Sequence, residues 1–180
     1  MAYCRLRLFY TLLLLFFLSF QSFSQGEMLT KGETISYIDK VVKRAIGHSP
    51  VWIMSSDDAR AEITSAGFSA SGENVSYTYR TKDYNDGYCR ASGSYTTYTF
   101  HPAHIKNITM KKINKSSVVY VIVKMRAKDM VTIQSDSRKY FSDEMSFYLF
   151  MPETKNFDSF KKALLHLKDL ASAEDDPFGE

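Results

Sequence analysis

The sequence predicts an α+β domain in which about six to eight antiparallel strands lie between an N-terminal and a C-terminal amphipathic helix. Short runs of alternating polar and apolar residues recur between Val51 and Phe150, whereas the flanking segments carry apolar residues at helical spacing. Turn-forming residues separate the runs without helical patterns between them, which favours an antiparallel meander over parallel strands joined by helices. We expect one curved sheet or a partly open barrel with helices packed on it.

The beginning of the chain has the order of features found in a secretory signal peptide. Arg5 and Arg7 precede an apolar run at 8–20, and the small residues Ser22 and Ser24 follow it. This run is shorter than the roughly 20 residues that a membrane-spanning helix needs. We therefore expect cleavage after Ser24, with an uncleaved membrane anchor as the alternative.

Removal of the leader changes what charge and cysteine content imply. The formal charge falls from +3 to +1 when Arg5 and Arg7 leave. A near-neutral chain without a basic stripe has no electrostatic footprint for nucleic acid.

Cys89 becomes the single cysteine, so no intramolecular disulfide can form. Small domains secreted by eukaryotes usually depend on disulfides, and we therefore expect a bacterial periplasm or cell surface.

We divide the chain into a signal peptide at 1–24, a single α+β domain at 25–173 and an acidic, flexible tail at 174–180. The length that remains after the leader suits one domain with one core. After the leader, we expect no segment that stably spans a membrane.

The first helix follows a capping box at residues 30–33, where Thr30 and Glu33 can satisfy free backbone N–H groups reciprocally. The predicted apolar stripe consists of Ile35, Ile38, Val42 and Ile46. Gly47 stands where a left-handed C-terminal cap is expected.

Five runs with β-branched or aromatic residues predict strands. They are 75–80, 97–100, 118–125, 131–133 and 147–151. Four turn signals lie among them, at 71–72, 85–87, 92–93 and 135–137.

A second helix is predicted from Phe157 to about Ala171, with Asn156 as its cap. Its apolar stripe consists of Phe157, Phe160, Leu164, Leu167 and Ala171, and His166 lies on the opposite, polar face. The order of elements resembles that of pleckstrin-homology-like folds and, more loosely, of lipocalin-like barrels. No sequence motif of either family is present, and such an outline implies no function by itself.

Two short motifs resemble functional sites but depart from the required pattern. The segment 67–71 resembles a nucleophile elbow around Ser69, yet it lacks the final glycine and a following helix, so we interpret it as a turn. The segment 83–87 offers oxygen ligands suited to calcium, but its spacing is not that of an EF-hand loop. We interpret it as a hairpin turn.

His101 and His104 are the residues that most suggest chemistry. Two imidazoles three residues apart can share a zinc ion, and a thiolate from Cys89 could complete a set of three ligands. Because Pro102 interrupts regular geometry and a zinc site needs a defined third ligand, we favour a structural role for this pair. Cys89 is more typical of a small core residue than of a reactive thiol.

A group of aromatic residues is the strongest candidate for a binding surface. It consists of Tyr77, Tyr79, Tyr84, Tyr88, Tyr95, Tyr98 and Phe100, with Trp52 as a further member. Cross-strand packing of aromatic rings would explain the group without any function. The alternative is a tyrosine-lined face that binds a peptide, a glycan or an apolar ligand.

The sequence thus favours an exported cell-envelope protein that acts as a non-catalytic ligand- or protein-binding module. It assigns no catalytic, cofactor-binding or metal-binding residue and no cofactor. Two alternatives stay open: a small metal-assisted enzyme that uses His101 and His104, and a structural partner subunit.

Overall fold

The computed structural model describes residues 29–49, 60–84, 93–113, 116, 118–136, 138–151 and 155–176. These residues include two α-helices, α1 (Lys31–Lys43) and α2 (Lys155–Asp175). The eight described strands are β1 (Arg60–Ser71), β2 (Asn74–Tyr84), β3 (Gly93–Phe100), β4 (Ile105–Lys112), β5 (Val118–Met125), β6 (Val131–Ser135), β7 (Arg138–Ser142) and β8 (Glu144–Phe150). The predicted α+β class with antiparallel strands is confirmed. The predicted leader lies outside the described residues.

The strands form two antiparallel sheets. The larger sheet has the order β1-β2-β3-β6-β7, and the smaller sheet has the order β4-β5-β8. The chain passes from one sheet to the other through short connections. A 3-10 helix at Pro102–His104 follows His101 and leads from β3 into β4, and Asp143 alone separates β7 from β8. The sequence led us to expect one curved sheet or a partly open barrel, whereas the hydrogen bonds divide the strands into two sheets.

Phe147 of β8 connects the main parts of the hydrophobic core. Its ring centroid lies 6.0 Å from that of Phe68 in β1, 4.5 Å from that of Tyr77 in β2 and 5.3 Å from that of Phe160 in α2. Phe147, Tyr77 and Phe160 are fully buried. One side chain of the smaller sheet therefore contacts the larger sheet and a helix.

Helix α1 buries a stripe that is rotated from the predicted one. The buried positions of the helix are Thr34, Ile38, Val41 and Val42, and Ala45 is buried in the turn that follows. Ile46 is 41% exposed, because the helix ends at Lys43 and residue 46 lies in the following turn. Gly47 ends this turn with φ of 82°, as its predicted role requires, since glycine adopts this conformation without a steric penalty.

Helix α2 buries Phe160, Leu164, Leu167 and Ala171, as predicted, and half-buries Phe157. Asn156 lies inside the helix, which extends to Asp175, beyond the predicted end. An ion pair between Glu174 and Lys31 joins the end of α2 to the start of α1. Among the described helices, none is long and apolar enough to cross a membrane.

Candidate functional site

A tyrosine cluster lies where the two sheets meet. We use this name for Tyr77, Tyr79, Tyr98, Tyr120 and Tyr148. Tyr77 of β2 stands directly opposite Tyr98 of β3, and their rings are almost parallel at 6.2 Å. Tyr148 of β8 brings in the smaller sheet, with its ring 4.8 Å from Tyr79 and 4.9 Å from Tyr120. The cluster therefore joins strands of both sheets.

Burial controls the electrostatics of this cluster. It raises the pKa of Tyr77, of Tyr98 and of Tyr148 well above the usual tyrosine range, and it also raises the pKa of Tyr120. Each of these four hydroxyls therefore stays protonated at neutral pH, which suits hydrogen bonding rather than base or nucleophile chemistry. The Tyr77 hydroxyl accepts a hydrogen bond from the backbone N–H of Tyr148 at 3.2 Å.

A row of side chains leads from this cluster to the edge of the larger sheet. Phe68, Tyr77, Tyr98, Ile133 and Tyr140 stand opposite one another on successive strands. Directly opposite residues share one face of a sheet, so Tyr140 lies on the same face as the cluster. Exposure rises sharply at the end of the row, from 5% at Ile133 to 50% at Tyr140.

Strand β7 carries an exposed patch, which we call the β7 patch and define as Arg138, Lys139, Tyr140 and Phe141. All four residues are exposed, and Phe141 is 55% exposed. The Lys139 Nζ atom lies 5.8 Å from the centroid of the Phe141 ring. Two large adjacent rings on an edge strand are unusual, because sheet edges in soluble proteins are commonly shielded or charged. The β7 patch is our candidate functional site.

The opposite edge of the larger sheet is shielded. The Asp39 carboxylate of α1 accepts a hydrogen bond from the N–H of Phe68 in β1 at 2.9 Å. Further along β1, the carbonyl of Ile63 accepts a hydrogen bond from the N–H of Gly47. The N–H of Ile63 donates a hydrogen bond to the carbonyl of His48. These backbone groups at Ile63 and Phe68 are therefore occupied by neighbouring parts of the chain. Strand β7 hydrogen-bonds to β6 alone among the described strands.

The predicted aromatic group divides between the two faces of the larger sheet. Tyr77, Tyr79 and Phe100 are buried on its inner face and Tyr98 is half-buried there. Tyr95 lies on the outer face at 38% exposure, with the Arg80 guanidinium 5.7 Å from its ring centroid. Trp52, Tyr88 and the side chain of Tyr84 lie outside the described residues. For the buried members, cross-strand packing is the role that the contacts support.

His101 precedes the 3-10 helix and His104 is its last residue, and their ring centroids lie 5.2 Å apart. The His101 Nε2 atom lies 3.5 Å from an oxygen of Asp175, and its Nδ1 atom is buried without a hydrogen-bond partner in the described structure. Within the described ranges, no group of three or more His, Cys, Asp or Glu side chains could hold a metal ion. Cys89, the proposed third ligand, lies outside them.

The two other motifs have different outcomes. The segment 67–71, interpreted as a turn, belongs to β1, and the turn follows it at Gly72, whose φ is 61°. The interpretation of 67–71 as a turn is therefore wrong. Its small Ser and Gly residues are also compatible with a strand that lies beside helix α1, where Asp39 accepts the hydrogen bond from Phe68. Of the calcium-like segment 83–87, the first two residues end β2 and the rest lie outside the described residues.

Sequence reasoning missed Tyr120, Tyr140, Phe141 and Tyr148. Tyr120 and Tyr148 stand opposite each other on β5 and β8, a pairing that depends on register. The signal for β7 was available: two adjacent aromatic residues directly follow two cations just after a predicted turn at 135–137.

Comparison with known proteins adds no identification. No protein-family profile, no curated protein and no solved structure matches this chain.

Proposed function

We propose that this chain is an exported cell-envelope protein that acts without catalysis, as a module that binds a partner protein through the β7 patch. One observation carries the proposal: Tyr140 and Phe141, adjacent residues that point to opposite faces of the edge strand β7, each expose half or more of their surface. Exposed apolar patches on soluble proteins commonly mark interaction sites. Aromatic residues and arginine are also the types enriched at the energetic centres of interfaces.

The tyrosine cluster supports a partner protein over a small ligand. Tyr77 is fully buried, Tyr148 is 4% exposed and Tyr79 is 9% exposed, so these rings pack against one another and against the core. Their role in the proposal is to support β7 from behind through Tyr98 and Ile133. A rigid support lowers the entropy that binding must overcome.

Export is the other half of the proposal, and it rests on the sequence of residues 1–24. The periplasm or cell surface of a bacterium is the compartment that a leader and a single mature cysteine favour. The pleckstrin-homology-like or lipocalin-like outline remains a prediction from the order of the elements.

A site-specific photocrosslinker tests the binding proposal. We would place a benzoylphenylalanine at position 141 in the full chain, expressed in its own host, and irradiate the cells. We expect one discrete crosslinked species that contains a partner protein, because the patch faces that partner. The matched control places the same residue at Lys111, an exposed position on β4. Equal crosslinking at both positions, or none at position 141, would contradict the proposal.

A further inference from the structure

We infer that the β7 patch binds its partner by strand addition and that the added strand is an acidic, extended segment of the partner protein. This inference rests on the proposed function and specifies its binding mode and the chemistry of its partner.

The backbone of β7 is suited to accept a strand. It pairs with β6 in a continuous register, without a bulge, from the pair of Val131 and Ser142 to the pair of Ser135 and Arg138. The sequence of β7 contains neither proline nor glycine. An edge strand of this kind presents a row of free N–H and C=O groups, on which an extended peptide can form a further ladder.

The contrast between the two edges of the larger sheet strengthens this inference. β1 has a bulge between Ile63 and Ser65, and Asp39 and the segment 47–49 occupy its backbone groups. Natural sheets use such devices to prevent unwanted pairing. At β7 the described structure shows none of these steric devices and instead exposes two aromatic rings.

Charge selects the partner. Neither Arg138 nor Lys139 forms an ion pair with another described residue. The acidic residues on either side of β7 are directed elsewhere: Asp136 accepts a hydrogen bond from Tyr95 N at 3.2 Å, and Asp143 lies 3.7 Å from Lys124. The two cations are thus available to a partner, and carboxylates are their natural complement.

The order of residues in β7 defines the order in the partner. An antiparallel partner strand passes first opposite Phe141 and Tyr140 and then opposite Lys139 and Arg138. Directly opposite side chains interact, so the preferred sequence is two apolar residues followed by two acidic residues. A second copy of this chain is a poorer occupant, because it would add two more cations and no acid to the same short ribbon.

Synthetic peptides test this inference on the folded protein. The probe is the labelled hexapeptide Thr-Val-Phe-Glu-Glu-Thr, and its counterpart is Thr-Val-Phe-Lys-Lys-Thr. Fluorescence anisotropy should detect binding of the acidic peptide, and added salt should weaken this binding.

The variant R138E/K139E should bind the acidic peptide about tenfold more weakly, because two exposed ion pairs become like-charge pairs. The same variant should prefer the basic peptide. The matched control K111E/K112E changes two adjacent exposed cations of β4 and should leave binding unchanged.

Backbone methylation of the acidic peptide distinguishes strand addition from simple surface attraction. In an antiparallel pair, alternate N–H groups point toward the neighbouring strand. N-methylation of one alternate set should abolish binding, whereas methylation of the other set should leave binding in place. Equal binding of both methylated peptides would overturn strand addition.

Two further outcomes would also overturn the inference. One is self-association in sedimentation experiments that R138E/K139E abolishes, because a second copy would then be the occupant. The other is a partner crosslinked at position 141 while the acidic peptide fails to bind, which would leave the proposed function intact and reject the acidic strand.

Discussion

Tyr77 shows how one residue can hold two sheets together. Its side chain is fully buried, its ring lies 4.5 Å from that of Phe147, and its hydroxyl accepts a hydrogen bond from the N–H of Tyr148. The ring thus contributes apolar packing, while the hydroxyl satisfies a backbone donor of the facing sheet. Burial without that hydrogen bond would leave both polar groups unsatisfied, at a free-energy cost.

We predict that Tyr77→Phe lowers the free energy of unfolding by roughly 1–3 kcal/mol at pH 7, because the Tyr148 N–H loses its acceptor. Urea denaturation of the variant and the natural chain measures this difference. The control is Tyr95→Phe, which removes a hydroxyl from the exposed outer face and should change the free energy by less than about 0.5 kcal/mol.

The pH dependence of this difference gives a sharper test. Burial raises the pKa of Tyr77 above its value in the unfolded chain, so the unfolded state loses this proton first. The stability that Tyr77 contributes is therefore complete below about pH 10 and declines as the pH rises above it, by up to about 1.4 kcal/mol per pH unit. The Tyr77→Phe variant lacks this decline, so its deficit should shrink between pH 10 and 11. A deficit that stays constant would show that Tyr77 ionises equally in both states.

At the scale of elements, two bulges explain why β1 and β4 were not predicted. In β1 the register shifts between Ile63 and Ser65, so the buried residues fall at 61, 63, 66 and 68 instead of at every second position. In β4 the shift lies between Ile105 and Asn107. Strict alternation is the signal from which a strand is predicted, and a bulge interrupts it.

Strand β5 was predicted with the bounds that the structure has, because its dense β-branched residues need no alternation. Strand β7 was missed for the opposite reason: every residue in it is exposed or half-buried, so it has no buried face to produce a pattern. The candidate site lies on β7. It could not be derived from periodicity, since the features that make it a candidate are its exposure and its position at the edge.

Helix α2 provides a test with its own internal control. Leu164 is fully buried and Leu165, the next residue, is 37% exposed. We predict that Leu164→Ala lowers the free energy of unfolding by about 2–5 kcal/mol, the usual range for a buried leucine. Leu165→Ala should cost much less, since it removes little buried surface. His166, which sequence analysis assigns to the polar face, is half-buried and has a contact, and it is therefore a poorer control.

Chemical denaturation of both variants measures the contrast directly, because the two substitutions have the same chemistry and the same helix propensity. Equal losses would indicate that the helix contributes through its propensity alone. Such a result would contradict packing of α2 on Phe147, which contacts Phe160 of the same helix.

At the scale of the whole molecule, a surface that binds a partner is useful only in the compartment where the partner occurs. The β7 patch combines exposed aromatic rings with cations, and the proposed leader directs it out of the cytoplasm. Without residues 1–24 the chain would have a formal charge of only +1, so attraction to an acidic segment depends on the local pair Arg138 and Lys139 rather than on the net charge.

We predict that the leader is removed after Ser24, so that the exported protein begins at Gln25. Intact-mass measurement of the exported fraction can verify this start.

The variant L14R places a charge within the apolar run and should retain the full chain inside the cell, because that run must be apolar to act as a signal. The variant C4R adds the same charge before the run, where positive charge is expected, and should be exported normally. Equal export of both variants, or a full-length chain with Met1 found in membranes, would contradict a cleaved leader. The β7 patch would then have to find its partner in another compartment.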